Sequence, residues 1–377
     1  MTTTLDALLE EASPERALQI CNACRYCEGF CPVFPAMTRH LEFPPPVLED
    51  LAHLCHSCGA CLHACPYAPP HAFGLNLPRA LARVRRDSWA QHAWPAPLAR
   101  LYGRQGLAVA GAVALAFALL VAWLLARHGM QGSTLWGAVP GGDFYRLLPH
   151  GAMVSLFAPV FGFALLSLAI GARRFWRANP PGPVTAPALA EAVHDALRLR
   201  HLGGGQEQGC HEADDAFTLA RRRAHHLTVA GFALCFAATS VATLMHYGAG
   251  RVAPYDWASL PKLLGVPGGV LLAVGSAWLG LLRHRRHPDH VVHEHQAMDL
   301  GFIALLFGTA TSGLALALLR GTPALPLALA VHLGLVLALF ALLPFGKAAH
   351  AVYRGVALLK WAVTRRQPSP LELAGDA

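Results

Sequence analysis

The sequence predicts an all-α chain in two parts, a short cysteine-rich helical module followed by a bundle of six membrane-crossing helices. Three observations predict it. Eight of the ten cysteines fall in two runs before residue 66. Hydrophobic residues make up 54% of the 377 positions and charged residues only 14%, the balance of a membrane protein. Six apolar stretches, at about 106–126, 150–172, 226–247, 262–282, 299–319 and 326–346, are each long enough to cross a bilayer. Alternating strand patterns are absent.

The first run is Cys21, Cys24, Cys27 and Cys31, followed by Pro32; the second is Cys55, Cys58, Cys61 and Cys65, followed by Pro66. Both read C-x-x-C-x-x-C-x-x-x-C-P. That spacing holds a [4Fe–4S] cluster on thiolates, with the fourth cysteine serving the other cluster. Cluster one is therefore assigned to Cys21, Cys24, Cys27 and Cys65, and cluster two to Cys55, Cys58, Cys61 and Cys31. A disulfide framework needs an oxidising compartment. Zinc leaves the third cysteine and the repeated Cys-Pro unexplained. The first twenty residues are polar and acidic, so no secretory signal is expected and the module is placed in the cytoplasm. Helical spacing over 5–20, a helix start at Ser13-Pro14-Glu15 and the apolar positions of 47–54 favour a helical ferredoxin-like module.

The chain divides into a two-cluster domain over 1–103, a six-helix domain over 104–360 with a long loop at 173–225, and a tail over 361–377. The sixth helix is expected to continue past the membrane toward residue 360. Twenty-five of the 30 lysines and arginines fall in the N-terminal part through Arg104, the loops 173–225 and 283–297, and the stretch from Lys347 onward. Only Arg127, Arg146, Arg251, Lys262 and Arg320 fall on the other side. Both termini are therefore placed inside, in a bacterial cytoplasmic membrane. The net charge of +8 reflects this bias and calls for no nucleic-acid partner. Arg79, Arg83, Arg85 and Arg86 read as a solvated helix face or a lipid-headgroup contact. Trp89 and Trp94 suit the interface belt. Gly203-Gly204-Gly205 reads as a flexible loop. Cys235 reads as packing. Cys210 reads as a thiol in a polar loop, or as part of a docking surface.

Histidines mark the membrane part. His332 and His350 are 18 residues apart, about five turns and about 27 Å along one helix, close to the hydrocarbon thickness of about 30 Å. The third segment offers His225 and His226 inside and His246 outside. Same-face geometry favours His225, and a local distortion brings in His226. Paired with the sixth helix, these residues predict one or two bis-histidine b haems, His225 or His226 with His350 and His246 with His332. His150 is a substitute ligand or lines a quinone site. Lys347, within one turn of His350, is placed to reach a haem propionate as a point charge. His284, His287, His290, His293 and His295 crowd one loop, read as solvated rather than as a metal site.

The stretch Cys21-Asn22-Ala23-Cys24-Arg25-Tyr26-Cys27-Glu28-Gly29-Phe30-Cys31 resembles the tricarballylate/citrate utilisation protein B family. So do Cys55-His56-Ser57-Cys58-Gly59-Ala60-Cys61, His225-His226 and Leu343-Pro344-Phe345-Gly346-Lys347. The resemblance spans nearly the whole chain. It implies a membrane subunit that accepts electrons from an FAD-dependent dehydrogenase of the tricarballylate type and passes them to the quinone pool. A related fusion to a flavoprotein acts in cobalamin biosynthesis, which implies a second kind of partner. The sixth helix is similar to the haem-binding helix of the nitrate reductase gamma subunit. A transporter of citrate-like acids is the rival from another class; it needs polar or broken helices at the midplane and leaves eight cysteines unused. No acid–base constellation for dehydrogenation is present.

Overall fold

The computed structural model describes residues 13–128, 135–204, 208–369 and 371; the part of the expected first helix before residue 13 lies outside them. The module consists of α1 (Pro14–Cys24), α2 (Val33–Met37), α3 (Pro45–Leu54), α4 (Ala60–His63) and α5 (Leu77–His92). Helix α1 starts as its sequence dictates. Ser13 Oγ accepts from the Arg16 amide at 3.3 Å, and Pro14 sits at the first helical position, where its missing N–H costs nothing. Arg25 adopts a left-handed conformation, φ 54°, and its amide closes the helix on the Cys21 carbonyl at 2.9 Å, turning the chain within the first cysteine run. Helix α3 buries Val47, Leu48, Leu51, Ala52 and Leu54, then delivers Cys55. Asn76 caps α5 through the Arg79 amide at 3.1 Å.

Six helices are long and apolar enough to cross a membrane: α6 (Ala96–His128), α7 (His150–Ala178), α9 (Ala220–Ala249), α10 (Leu260–His284), α11 (Gln296–Leu319) and α12 (Leu325–Leu342). Helix α6 kinks at Gln105, φ −130°, beside the expected start of the first span. There α6 and α11 touch through glycines: a Cβ on Gly106 would lie 2.5 Å from the Met298 Cα, and one on Gly301 2.6 Å from the Gly106 oxygen. Only a side chain of hydrogen permits this approach. Helix α12 is the interior helix, with 56% of its apolar window buried against 11–28% for the other spans. It packs among α6, α11 and α7, whereas α9 lies along α10.

The sixth helix does not run on to residue 360. It stops at Leu342, turns through Leu343-Pro344-Phe345-Gly346, passes a short 3₁₀ turn at Lys347–Ala349, and restarts as α13 (His350–Thr364). Pro344 has no N–H to give the helix and its ring crowds the carbonyl four residues back. Gly346 is extended, φ −117° and ψ −161°. His332 and His350 thus lie on different helices and do not share one helical face.

The region 173–225 is also more structured than a loop. It holds the end of α7, helix α8 (Ala186–Leu197) packed on α13, and an antiparallel ribbon, β1 (Cys210–His211) with β2 (Phe217–Thr218), paired Cys210 to Thr218 and His211 to Phe217. The module sits against α13 and the helix ends of the bundle. Lys360 Nζ on α13 meets Asp50 Oδ1 at 2.7 Å, and Asn179 reaches the other oxygen of Asp50 at 2.7 Å. His92 Nε2 meets Glu49 Oε2 at 2.6 Å in the interior. Trp89 is buried, with its ring centroid 6.2 Å from that of His53, so it is core rather than interface belt.

Candidate functional site

The turns that end α1, α3 and α4 bring the eight motif thiols into two groups. Cys21, Cys24, Cys27 and Cys65 line one cleft with Tyr26 and Tyr67, and Cys61 of the second run reaches it as well. Burial first, then Cys65, Cys27 and Cys24, pushes the Cys21 thiol up to about 12. Burial, Cys65 and Cys24 push Cys27 up to about 12. The other group mixes the runs in the opposite sense. Burial, then Cys58 and Cys55, holds Cys31 well above the ordinary thiol range, and burial with Cys58, Cys55 and Cys31 does the same for Cys61. Cys65 thus lies with Cys21, Cys24 and Cys27 of the other run, and Cys31 lies near Cys55 and Cys58, while Cys61 stands between the two groups, lining the first cleft and acted on by Cys27 as well.

Burial and neighbouring thiols raise Cys21, Cys27, Cys31 and Cys61 and so oppose their ionising alone, and metal ions among them would supply the positive charge that holds them as thiolates. A second observation fits an anionic metal–thiolate group at the second set. Arg85 Nε, Arg286 Nε and Arg221 Nη2 are buried nearby without a hydrogen-bond partner. These arginines come from α5, the loop after α10, and the start of α9. With Arg354 on α13 they hold the chain between Cys55 and Cys58. Arg354 Nη2 donates to the Leu54 carbonyl at 2.9 Å and Nη1 to that of Cys55 at 3.4 Å. Arg221 Nη1 donates to the carbonyls of His56 and Ser57, each at 3.1 Å. Arg286 donates to the Ser57 carbonyl, and Arg85 to the Ser57 hydroxyl at 3.0 Å. Arg85 is therefore spent inside the protein rather than on lipid, and Arg79 likewise donates to the Pro288 carbonyl at 3.0 Å. No local motif announces these arginines; their segments are far apart in the chain.

Cys210 is buried at 1% exposure, not a thiol in an open loop. Its ribbon is tied to the second run, the His211 amide donating to the Cys58 carbonyl at 2.9 Å. Burial and then Cys210 push Cys58 up to about 11. The histidine-rich loop folds onto the same place: His290 is buried, with its Nε2 3.0 Å from His63 Nε2. His290 is thus not part of a solvated loop. Among the described residues no group of three or more His, Cys, Asp or Glu is placed to hold a single metal ion.

Four residues before Arg354 on α13 lies His350, whose ring centroid is 5.9 Å from that of His225. The His350 Nδ1 contacts the Lys347 carbonyl. A carbonyl only accepts, so Nδ1 carries the proton and Nε2 keeps its lone pair. His226 is exposed. Lys347 Nζ is held by the buried carboxylate of Asp299 at 2.8 Å, which also takes Arg283 Nε at 3.1 Å. At the far end the expected pair does not form. His246 stacks on His150, centroids 4.0 Å apart and planes 14° from parallel, beside Tyr145 and Tyr247. His332 instead meets Ser312 Oγ at 3.0 Å. A Cβ on Gly313 would lie 2.9 Å from its ring, so the glycine makes room for it. The reason is position: His332 lies about 10 Å inside the start of α12, whereas His246 is in the last turn of α9.

A helical module carrying two four-cysteine runs, joined to six helices long and apolar enough to cross a membrane, is the layout of a membrane-associated iron–sulfur protein. Residues 14–92 match the family model for the citrate utilization protein B Fer4-like domain, and residues 100–371 match that for citrate utilization protein B. The chain belongs to the citrate utilization protein B family, with an iron–sulfur electron-transfer role. It is 50% identical over 370 residues to the citrate utilization protein B of Escherichia coli, covering 97% of this chain and 96% of that one. No solved structure matches it.

Proposed function

We propose that this chain is the electron-transfer subunit linking an FAD-dependent dehydrogenase of the tricarballylate type to the quinone pool of a bacterial cytoplasmic membrane, with the module and both termini in the cytoplasm. Bound to it, two [4Fe–4S] clusters and haem b supply the one-electron carriers. Cys21, Cys24, Cys27 and Cys65 hold the first cluster, and Cys55, Cys58, Cys61 and Cys31 the second. His350 and His225 are the ligand pair for haem on the module side. His226 is a reserve candidate there; His246, His332 and His150 are the candidates on the far side.

The observation that carries this reading is a continuous order of sites. Cys24 and Tyr26 are exposed, where a soluble partner can approach. Cys55 of the second run is buried, and Arg354 joins the backbone at Leu54 and Cys55 to the helix that bears His350. The chain's own residues space these groups, bury Cys55 of the second set and fix the His350 tautomer. Lys347 reaches a propionate only by sharing its charge with Asp299.

Purified protein should hold about eight non-haem irons with matching labile sulfide, and a reduced b-type band that quinone reoxidises in membranes. Stoichiometric zinc without sulfide overturns the clusters. A full b band in His350→Ala overturns the module-side ligand pair.

A further inference from the structure

The two thiol sets differ in the charge around them. The cleft of the first is lined by thiols and by uncharged side chains such as Phe34, Tyr67 and Leu75. Arg25, which follows Cys24, is exposed and turns back onto the Asn22 carbonyl at 3.2 Å. Around the second set stand Arg85, Arg221, Arg286 and Arg354, all within hydrogen-bond reach of residues 54–57. Among the described residues the carboxylate in direct contact with them is Glu212, whose Oε1 lies 2.5 Å from Arg221 Nε, and Asp299 acts on Arg85 and Arg286 from farther off. Asp299, the next acid in this region, is committed to Arg283 and Lys347. Arg354 and Arg286 reach residues of the second run from the C-terminal third of the chain. A charge added at the second set therefore faces guanidinium groups across a poorly solvated gap, where Coulomb attraction is strong.

We propose that this collar of arginines makes the second cluster the electron-accepting member of the pair, by favouring its reduced, more negative form over that of the first. The inference rests on the reading that each thiol set holds an iron–sulfur cluster. The step it favours is a single-electron transfer: the first cluster is oxidised by one electron, the second reduced by one, and no proton or bond changes hands. It runs from the exposed edge of the module toward the membrane. The arginines act through the field they set at the cluster and are tuning residues, not ligands.

The test is a redox titration, followed by electron paramagnetic resonance, of the purified full chain in detergent. Cys24→Ser and Cys58→Ser assign the two signals beforehand. Arg354→Gln and Arg85→Gln are the test variants, Arg354→Lys the conservative rescue, and Arg25→Gln the control beside the first set. Each Gln variant should shift the electron distribution at least about tenfold toward the first cluster, equal to about 59 mV for one electron. Arg354→Lys should restore most of that shift, because it keeps the charge, and Arg25→Gln should leave the second potential in place. Iron and sulfide are measured in every sample, so that a lost cluster is told apart from a moved potential. Wild-type protein without clusters overturns the functional reading itself. Intact clusters with unmoved potentials in both Gln variants overturn the collar alone, as does a second cluster that titrates below the first in the wild type.

Discussion

At the module end of the bundle, His225 from α9 faces His350 from α13, and the helix bearing His350 goes on to grip the second cysteine run. At the far end, His246 stacks on His150, while His332 sits apart in α12 and bonds to Ser312. The same count of residues along ideal helices had placed both pairs. At the module end the helix that the count assumed breaks after Leu342, and it is this break that lets α13 turn its first residue toward α9. At the far end the two histidines differ in depth, His332 well inside α12 and His246 in the last turn of α9, and α9 lies along α10 rather than α12, so their side chains do not meet. Periodicity fixes which face a residue occupies; it does not fix which helix stands opposite.

The comparison breaks most sharply through the cysteines. Cys31→Ser should abolish the second cluster's signal and leave the first, and Cys65→Ser should do the reverse, as read by electron paramagnetic resonance with iron counts. Loss of the cluster belonging to the mutated run would mean that the two sets are not crossed. The next largest effect falls on the histidines. His350→Ala and His225→Ala should each remove the module-side b band, whereas His226→Ala should keep it. At the far end, His150→Ala set beside His332→Ala decides which partner His246 uses, since only the true partner's loss should bleach a second band.

A smaller effect tests whether docking of the module orders its end of the bundle. Lys360→Ala leaves the Asp50 carboxylate half-answered in a buried site. It should cost about 3–5 kcal/mol, seen as a lower melting temperature together with a weaker module-side band. Lys360→Met with Asp50→Asn should recover much of that loss. The smallest effect is at the rim. Glu191 takes Arg365 at 2.7 Å and Arg366 at 2.6 Å, both partly exposed. Glu191→Ala should cost no more than about 1 kcal/mol and leave both bands intact, measured in the same melting experiment.

The two cysteine runs were legible because their spacing is local, and the spans because apolar length is a local property. Helix α1 was legible from Ser13 and Pro14 alone. The break in the sixth helix was also visible, as Pro344 and Gly346, but two histidines at a helical interval argued for continuity. In the structure the proline outweighs the interval. The arginines around residues 54–57 were not legible, since they arrive from four separate segments and each reads locally as a basic flank of a membrane span. Cys210 was misread for the same reason: a polar neighbourhood in sequence becomes a buried one once the ribbon folds back on Cys58.

The grip of Arg354 on Leu54 also sets an order of events during synthesis. The two residues are 300 positions apart. At a ribosomal pace of about 5–20 residues per second, roughly 15–60 s pass between their appearances. Through that interval the second cysteine run has emerged, while α13, which closes over it, does not yet exist. Iron and sulfide delivered early meet an open, solvent-washed set of thiols; delivered late, they meet a set already roofed by the last helix. The C-terminal helix is thus the final wall of a chamber whose floor is made first, and a chain cut short before residue 354 should carry a second cluster that is readily lost to chelators and oxygen.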